Sequence, residues 1–483
     1  NQLGSLTRAE NRATGRPNVI QRFHDLGSDS IISQQIGNGG VKKLRLTYND
    51  GLIQQTQYPS GKTFQYEYDN MARPTKTYED LQLISEITEH YGDIPKKAYW
   101  ILGGTIFNWS RDLNEVGKLL KLDIKQGPVV NESFTAQYNS KQKLEFLDRH
   151  NLAQETFGFD GLGRLTNRSD SSRNASWDYD NNNNITDWSD TLGGITNGTS
   201  QFDESNKTIQ DSAHGVITYD DRGHESSRQT ASNSFSGGSS NSFGQTDSLT
   251  SGGQNYLFAT DAFGKTVWEK EGTNIREYFH IGNHLLQQEI AGVTTEYTQL
   301  AGGIFTQSGG TNKRIQALDM MGSIGTIFTQ AGVAQKYKYD SYGKMRDFTS
   351  GQQINRSQIA ANLGYIGQAM GPGNLLKTGH RFYDPEAQKF INMDPTRQEG
   401  NYPYAMGDPI TYKDPSGLSS GNQKPGLPPY SYRLTKNVKW GVYGTPIFGP
   451  ALKHARSLEK QRRTAEEWAQ MSKSEKKKAV YDN

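Results

Sequence analysis

Residues 157–180 read FGFDGLGRLTNRSDSSRNASWDYD, and this stretch decides the fold. Two aromatics at alternate positions, Phe157 and Phe159, lead into Asp160, and Gly163-Arg164 close the unit; Trp177-Asp-Tyr179-Asp180 then repeats the order. Residues two apart lie on the same face of a strand. An aspartate after a strand folds its carboxylate onto its own backbone, and glycine supplies the positive φ that a tight turn needs. The unit is therefore a strand, a turn and a return strand. One hairpin cannot bury its face alone, so such units must stand side by side in a continuous sheet.

The same order extends both ways. Upstream stands Tyr66-Glu-Tyr68-Asp69 with Arg73; downstream stand Ile217-Thr-Tyr219-Asp220 with Arg222-Gly223, Asp261-Ala-Phe-Gly264-Lys265, and Tyr337-Lys-Tyr339-Asp340-Ser-Tyr-Gly343-Lys344. Degenerate copies sit at Tyr48-Asn49-Asp50, Tyr138-Asn139 and Phe202-Asp203. Many spacings fall near 20 or 40 residues, a period that marks a repeat architecture. Segment 80–135 carries little of the signal and reads as an insertion or a worn repeat. Ser236–Gly253 reads as a low-complexity loop.

Composition agrees with an all-β chain. Hydrophobic residues are only 33%, which alone would suggest disorder, but 25 Tyr, 52 Gly, 16 Pro and a net charge of +2 describe many short strands joined by turns. With no Cys there is no disulfide framework and a structural zinc site is improbable; the nine His show no metal spacing, and no cofactor motif is present. No apolar run is long enough to span a membrane as a helix. The chain opens Asn-Gln-Leu-Gly, without an initiator Met or a signal peptide, and is read as a fragment or a processed product. Gly417-Leu-Ser419-Ser-Gly421 matches a nucleophile pattern but has neither the strand nor the helix that pattern requires, and is read as chance.

Charge and texture change near residue 418. Residues 419–483 hold 13 Lys/Arg against 5 Asp/Glu, about +8, whereas residues 1–418 hold 40 against 46, about −6. The tail begins as a Pro/Gly linker and then shows a helical stripe at Ala451, Leu452, Ala455 and Leu458, with capping boxes at Thr464–Glu467 and Ser472–Glu475. Its basic charge allows nucleic-acid binding for this segment only, and equally a solvated face or a cargo matched to an acidic interior.

The repeats resemble the YD repeats of Rhs proteins, of the C component of bacterial Tc toxin complexes, and of animal teneurins. Leu318-Asp319-Met-Met-Gly322-Ser323 resembles the approach to the Rhs-associated core. Gly379-His-Arg381-Phe382-Tyr383-Asp384-Pro385, Phe390-Ile-Asn-Met-Asp394-Pro395, Asn401-Tyr402-Pro-Tyr404-Ala405, Asp408-Pro409-Ile410 and Asp414-Pro-Ser-Gly417-Leu418 resemble that core itself. The resemblance covers roughly residues 40–418. It implies repeat hairpins wound as a spiral sheet into a hollow shell over 1–375, a core plug over 376–418, and a variable toxin or cargo segment over 419–483. It also implies an exported bacterial toxin component. Its partners would be its own C-terminal segment, a further shell or delivery component (Tc B or A components, or a secretion spike) and an immunity protein.

In the family the core ends in two Asp-Pro motifs, and many members cut themselves after the Leu of the second. Here these are Asp394-Pro395-Thr396-Arg397 and Asp414-Pro415-Ser416-Gly417-Leu418, which puts the scissile bond at Leu418–Ser419. Two adjoining carboxylates can share a proton, one activating water while the other protonates the scissile group. Asp408 is a competing member of the pair, and Arg381 is a candidate partner for a core carboxylate. Two departures stand out: Arg397 replaces the usual Gly, and the spacer is about three residues short. Read without the family, the Asp-Pro pairs are turn formers, and the chain is then a non-catalytic surface or adhesion module of wall-associated or teneurin-like type. The absence of Cys and the Asp394/Asp414 pair favour the toxin shell.

Overall fold

The computed structural model describes residues 8–418, except 12–15, 26–28, 192–196, 213, 229–234, 262, 282–283, 360–362 and 397–400, and adds 420–422 and the paired two-residue strands 439–440 and 446–447. Ser419, Arg397 and the helical stripe expected at 451–463 lie outside the described residues.

The fold is all-β. Thirty-three strands, from Arg8–Asn11 to Met345–Asp347, form one long antiparallel sheet that is not closed into a barrel. Each strand pairs with its neighbours in sequence, as Glu155–Phe159 does with Leu144–Arg149 and Leu165–Ser169. The described residues contain no α-helix, only four three-residue 3-10 turns.

The repeated Asp builds its turn twice over. The Asp160 amide donates to the Arg164 carbonyl (3.0 Å) while the Gly163 amide donates to the Asp160 carbonyl (3.0 Å). Asp160 Oδ1 accepts the Leu162 and Arg164 amides at 3.0 and 2.9 Å. Asp69, Asp180, Asp203, Asp220, Asp261 and Asp319 show the same bonds, and Asn stands in at 114, 139 and 241. Where a Tyr precedes the turn, it reaches back one unit. Tyr68, Tyr138, Tyr179, Tyr219 and Tyr339 donate their hydroxyls to the carbonyls of Ile53, Leu119, Leu165, Thr208 and Ile324 at 2.7–3.1 Å. Tyrosine is thus used where phenylalanine would pack equally well but would leave a carbonyl unpaired.

Two stretches are clearer in the structure than in the sequence. Of the two readings of segment 80–135 the worn repeat fits and the insertion does not: Gln82–Tyr91, Ile94–Leu102, Thr105–Leu113, Leu119–Gln126 and Val129–Tyr138 continue the meander. Three of its four turns are two-residue glycine turns, which need no aspartate; Gly103 and Gly104 have φ of 57° and 87°. The stretch Ser236–Gly253 is no loop either. Phe235–Ser240 and Thr246–Ser251 pair there around the Asn241 turn. Gly238 and Ser240 occupy the aromatic positions and Asn241 that of the Asp, so the hairpin carries little visible signature.

Contacts between distant strands define the winding. The Asn11 amide donates to Thr260, Gln34 to the Tyr278 carbonyl, Tyr58 to the Tyr297 carbonyl, Thr105 to the Gln330 carbonyl, and Arg173 to Asp340. Both partners advance together along the chain. A sheet folded shut like a book would run them in opposite directions, so this sheet coils. The sequence separation falls from 249 at Asn11 to 225 at Thr105 and 167 at Arg173, so the coil tightens toward its C-terminal end.

The second turn of the coil is the middle layer. Phe305 and Phe328 pack on Phe64, Trp100 and Phe107 of the first turn, while Ile304, Ile324 and Ile327 join a cluster containing Tyr365, Tyr383 and Tyr404 of the core. Strands Gly303–Ser308 and Ile324–Thr329 are accordingly buried on both faces. From 348 on, the described residues leave the sheet and pack against this second turn.

Candidate functional site

The core touches the sheet through buried charge. Arg228 pairs with Asp384, and Lys377 and Arg356 both pair with Glu269, Arg356 Nη1 at 2.5 Å. Lys377 also donates to the Tyr278 hydroxyl at 2.7 Å. Burial pushes Lys377 down to about 7 against the opposing pull of Glu269. Lys143 Nζ lies 2.5 Å from Asp408 Oδ2, whose carboxyl burial raises above its ordinary range. Asp408 is thereby occupied in joining the core to a repeat turn and does not stand with the two Asp-Pro carboxylates.

Asp394, Asp414 and Arg381 are brought together. Arg381 Nη2 is 3.2 Å from Asp394 Oδ2 and 3.2 Å from Asp414 Oδ2, all three side chains being at most 2% exposed. The guanidinium offsets the repulsion of two buried carboxylates. It is held from below by Phe390, whose ring centroid lies 3.5 Å from Arg381 Cζ, and its Nε donates to the Gly417 carbonyl at 2.5 Å.

Each aspartate divides its oxygens. Asp394 Oδ1 accepts the Thr396 amide (2.6 Å) and hydroxyl (2.7 Å); Asp414 Oδ1 accepts the Ser416 hydroxyl (2.7 Å) and the Leu418 amide (3.2 Å). One oxygen makes the turn and the other faces the arginine, so turn forming and pair forming are not exclusive. Both ends of Leu418 have a neighbour: its amide donates to Asp414, and its carbonyl lies 3.3 Å from the Thr396 hydroxyl, whose one proton can go either to it or to Asp394.

The turn 378–381 clamps this segment. The His380 amide donates to the Ser416 carbonyl at 2.8 Å, and a Cβ on Gly379 would overlap that carbonyl. Gly417 has a φ of 67°, and a Cβ there would lie 2.9 Å from the Arg381 amide nitrogen. Lys265 lies against Gly379 of the clamp, and His284 is close enough to Lys265 to feel its charge. Burial pushes Lys265 down to about 8, with Asp261 and Asp414 opposing; burial also pushes His380 down to about 4, helped by Lys265 and Arg381.

A sequence reading does not single out Thr396, Phe390, Gly379 or Lys143. Thr396 fills the variable position of its motif, and Lys143 is 265 residues from its partner. Among the described residues no group of His, Cys, Asp and Glu could hold a metal, and no helix is long and apolar enough to cross a membrane.

A spiral meander with a charged core docked inside it can be matched to known folds. The chain shares its fold with the Tc toxin structures. It superposes on TcdB2-TccC3-Cdc42 with a TM-score of 0.65 at 12% identity, over 86% of this chain and 25% of that one. The Photorhabdus luminescens Tc holotoxin pore gives 0.64 at 12% identity, over 87% and 24%, and TcdB2-TccC3 without its hypervariable C-terminal region gives 0.63 at 12%, over 83% and 24%. The chain thus spans about a quarter of the length of the proteins it matches. No family model matches it, and no curated protein does.

Proposed function

We propose that the chain is an Rhs/YD-repeat protein, a shell component of an exported bacterial toxin complex, that cuts itself after Leu418. In this reading residues 1–375 are shell, 376–418 are the core that carries out the cut, and 419–483 are the enclosed cargo. Its partners are that cargo, the remaining shell and delivery components, and an immunity protein. The observation that carries the reading is the convergence of Asp394, Asp414 and Arg381 on the segment that ends at Leu418. Two carboxyls and one guanidinium carry balanced charge when one carboxyl keeps a proton. The pair then supplies one base for water and one acid, the division of labour that peptide hydrolysis requires. The likeness to Tc toxin structures in fold supports the shell role.

Intact mass and a denaturing gel test the cut. The purified chain should give two pieces, the smaller beginning at Ser419, while Asp394→Asn and Asp414→Asn each leave one piece with an unchanged fold. A Ser419 N-terminus from both variants defeats the dyad. Trypsin tests enclosure: Arg462–Arg463 and Lys476–Lys478 should be cut more slowly in the assembly than in the isolated peptide.

A further inference from the structure

We infer that the Thr396 hydroxyl is a further catalytic group of this reaction, relaying a proton between Asp394 and the carbonyl oxygen of Leu418. The inference rests on the self-cleavage proposed above and adds a group the two-aspartate scheme lacks. Asp394 does not touch the Leu418 carbonyl by any hydrogen bond described. Its Oδ2 faces Arg381, and its Oδ1 faces Thr396. The hydroxyl of Thr396 lies 2.7 Å from Asp394 Oδ1 and 3.3 Å from Leu418 O, so it bridges them. A hydroxyl has one proton and two lone pairs, and can give a proton on one side while taking one on the other. The bridge is positioned by the backbone: the Thr396 amide is held at 2.6 Å by the same Oδ1, and the Asp394 amide donates to the Asn401 carbonyl at 2.8 Å.

The step balances with one water. The water oxygen bonds to the carbonyl carbon of Leu418 as Asp414 takes its proton. The π pair moves onto the carbonyl oxygen, which receives the Thr396 proton while Thr396 receives the proton of Asp394. The C–N bond of the resulting diol then breaks. Its electron pair and the proton held by Asp414 go to the nitrogen of residue 419, and one diol proton returns through Thr396 to Asp394. A carboxyl at Leu418 and a free amine are formed, and every side chain regains its starting state.

The alternative is that the hydroxyl only tightens the Asp394 turn. Thr396→Ala loses the hydroxyl and Thr396→Ser keeps it, and the melting midpoint separates the two roles, since a hydroxyl that only tightened the turn would slow the cut no more than it lowers the midpoint. The full chain is made in a cell-free system, and the half-time of the cut is read on denaturing gels, with thermal melting of each product. Thr396→Ala should slow the cut by roughly 10²-fold, the cost of losing one donor at a developing oxyanion. Thr396→Ser should cut at a rate within a few-fold of the parent. If Ala cuts as fast as Ser while Asp394→Asn remains whole, the relay is overturned and the dyad stands. If Ser is folded yet as slow as Ala, the hydroxyl is not the agent and the relay falls. If the parent chain is never cut, the relay falls together with the reading beneath it.

Discussion

The sheet and the core solve the same problem in opposite ways. In the sheet each turn closes on itself: Asp160 bonds residues two and four positions on, and Tyr179 bonds the neighbouring unit 14 residues back. In the core the fixing contacts are buried ion pairs across long stretches of chain, 156 residues for Arg228–Asp384 and 265 for Lys143–Asp408. The sheet repeats one local rule, whereas the core is placed by individual charges, each meaningful only against one partner. A buried pair adds little net stability but penalises misplacement heavily, because a charge left alone in the interior is costly. The two meet at Asp340. It keeps the backbone bonds of the repeat turn, yet its carboxylate pairs with Arg346 and Arg173 instead of its own amides.

This contrast can be broken experimentally. The largest effect is expected from Arg381→Met, which leaves two buried carboxylates facing each other. It should cost about 3–5 kcal/mol, read as a lower urea midpoint with the core becoming protease-sensitive before the sheet. An unchanged midpoint would mean that the triad is not what seats the core. Lys143→Met should cost less, about 2 kcal/mol, because Asp408 can take up a proton when its partner is lost. Adding Asp408→Asn to it should recover most of the loss; no recovery would show that Lys143 acts through its packing on Phe159 and Tyr412.

Acid should act on the core seam first. His284 and His380 are held neutral, with folded values below the unfolded 6.5, His380 at about 4. The unfolded chain therefore binds more protons as pH falls below about 6.5, so the stability they supply is complete above that pH and is lost below it. The slope is on the order of 1 kcal/mol per pH unit for buried His284. Thermal melting from pH 7 to 5 checks this, and His284→Gln should flatten the curve. The smallest effect belongs to a single repeat. Asp160→Ala should cost about 1 kcal/mol, like the loss of a helix cap, and hydrogen exchange should quicken only near residues 160–164. Spreading of that change to the core would refute the local rule.

The same contrast explains what could be read in advance. The Asp160 and Asp180 turns are visible because aromatics and Asp sit within a few residues of a turn former, Gly163 in one and Asn183 in the other. The Asn241 hairpin has the same bonds but lacks the aromatics. Hairpins such as Ile94–Leu113 turn on two glycines and share only the alternation of a β-strand. At the candidate site, Asp394, Asp414 and Arg381 are legible from family likeness. Their distances, the Phe390 platform and the position of Thr396 arise from folding the core against a surface supplied by residues 143–344. Asp408 shows the cost of that limit. It too is an Asp-Pro and a competing member of the pair by sequence, and its partner, a lysine from a distant turn, could not be read in advance.

The order in which the chain is made has a consequence as well. Every strand of the sheet waits only for its successor, so each hairpin can close soon after it leaves the ribosome. The seam between turns cannot: Asn11 must wait for Thr260, 249 residues later, some 12–50 s at about 5–20 residues per second. The parts of the candidate site, from Arg381 to Leu418, are made after every strand they dock on. Synthesis itself therefore acts as a timer. The candidate site cannot be assembled until the sheet it docks on has been made.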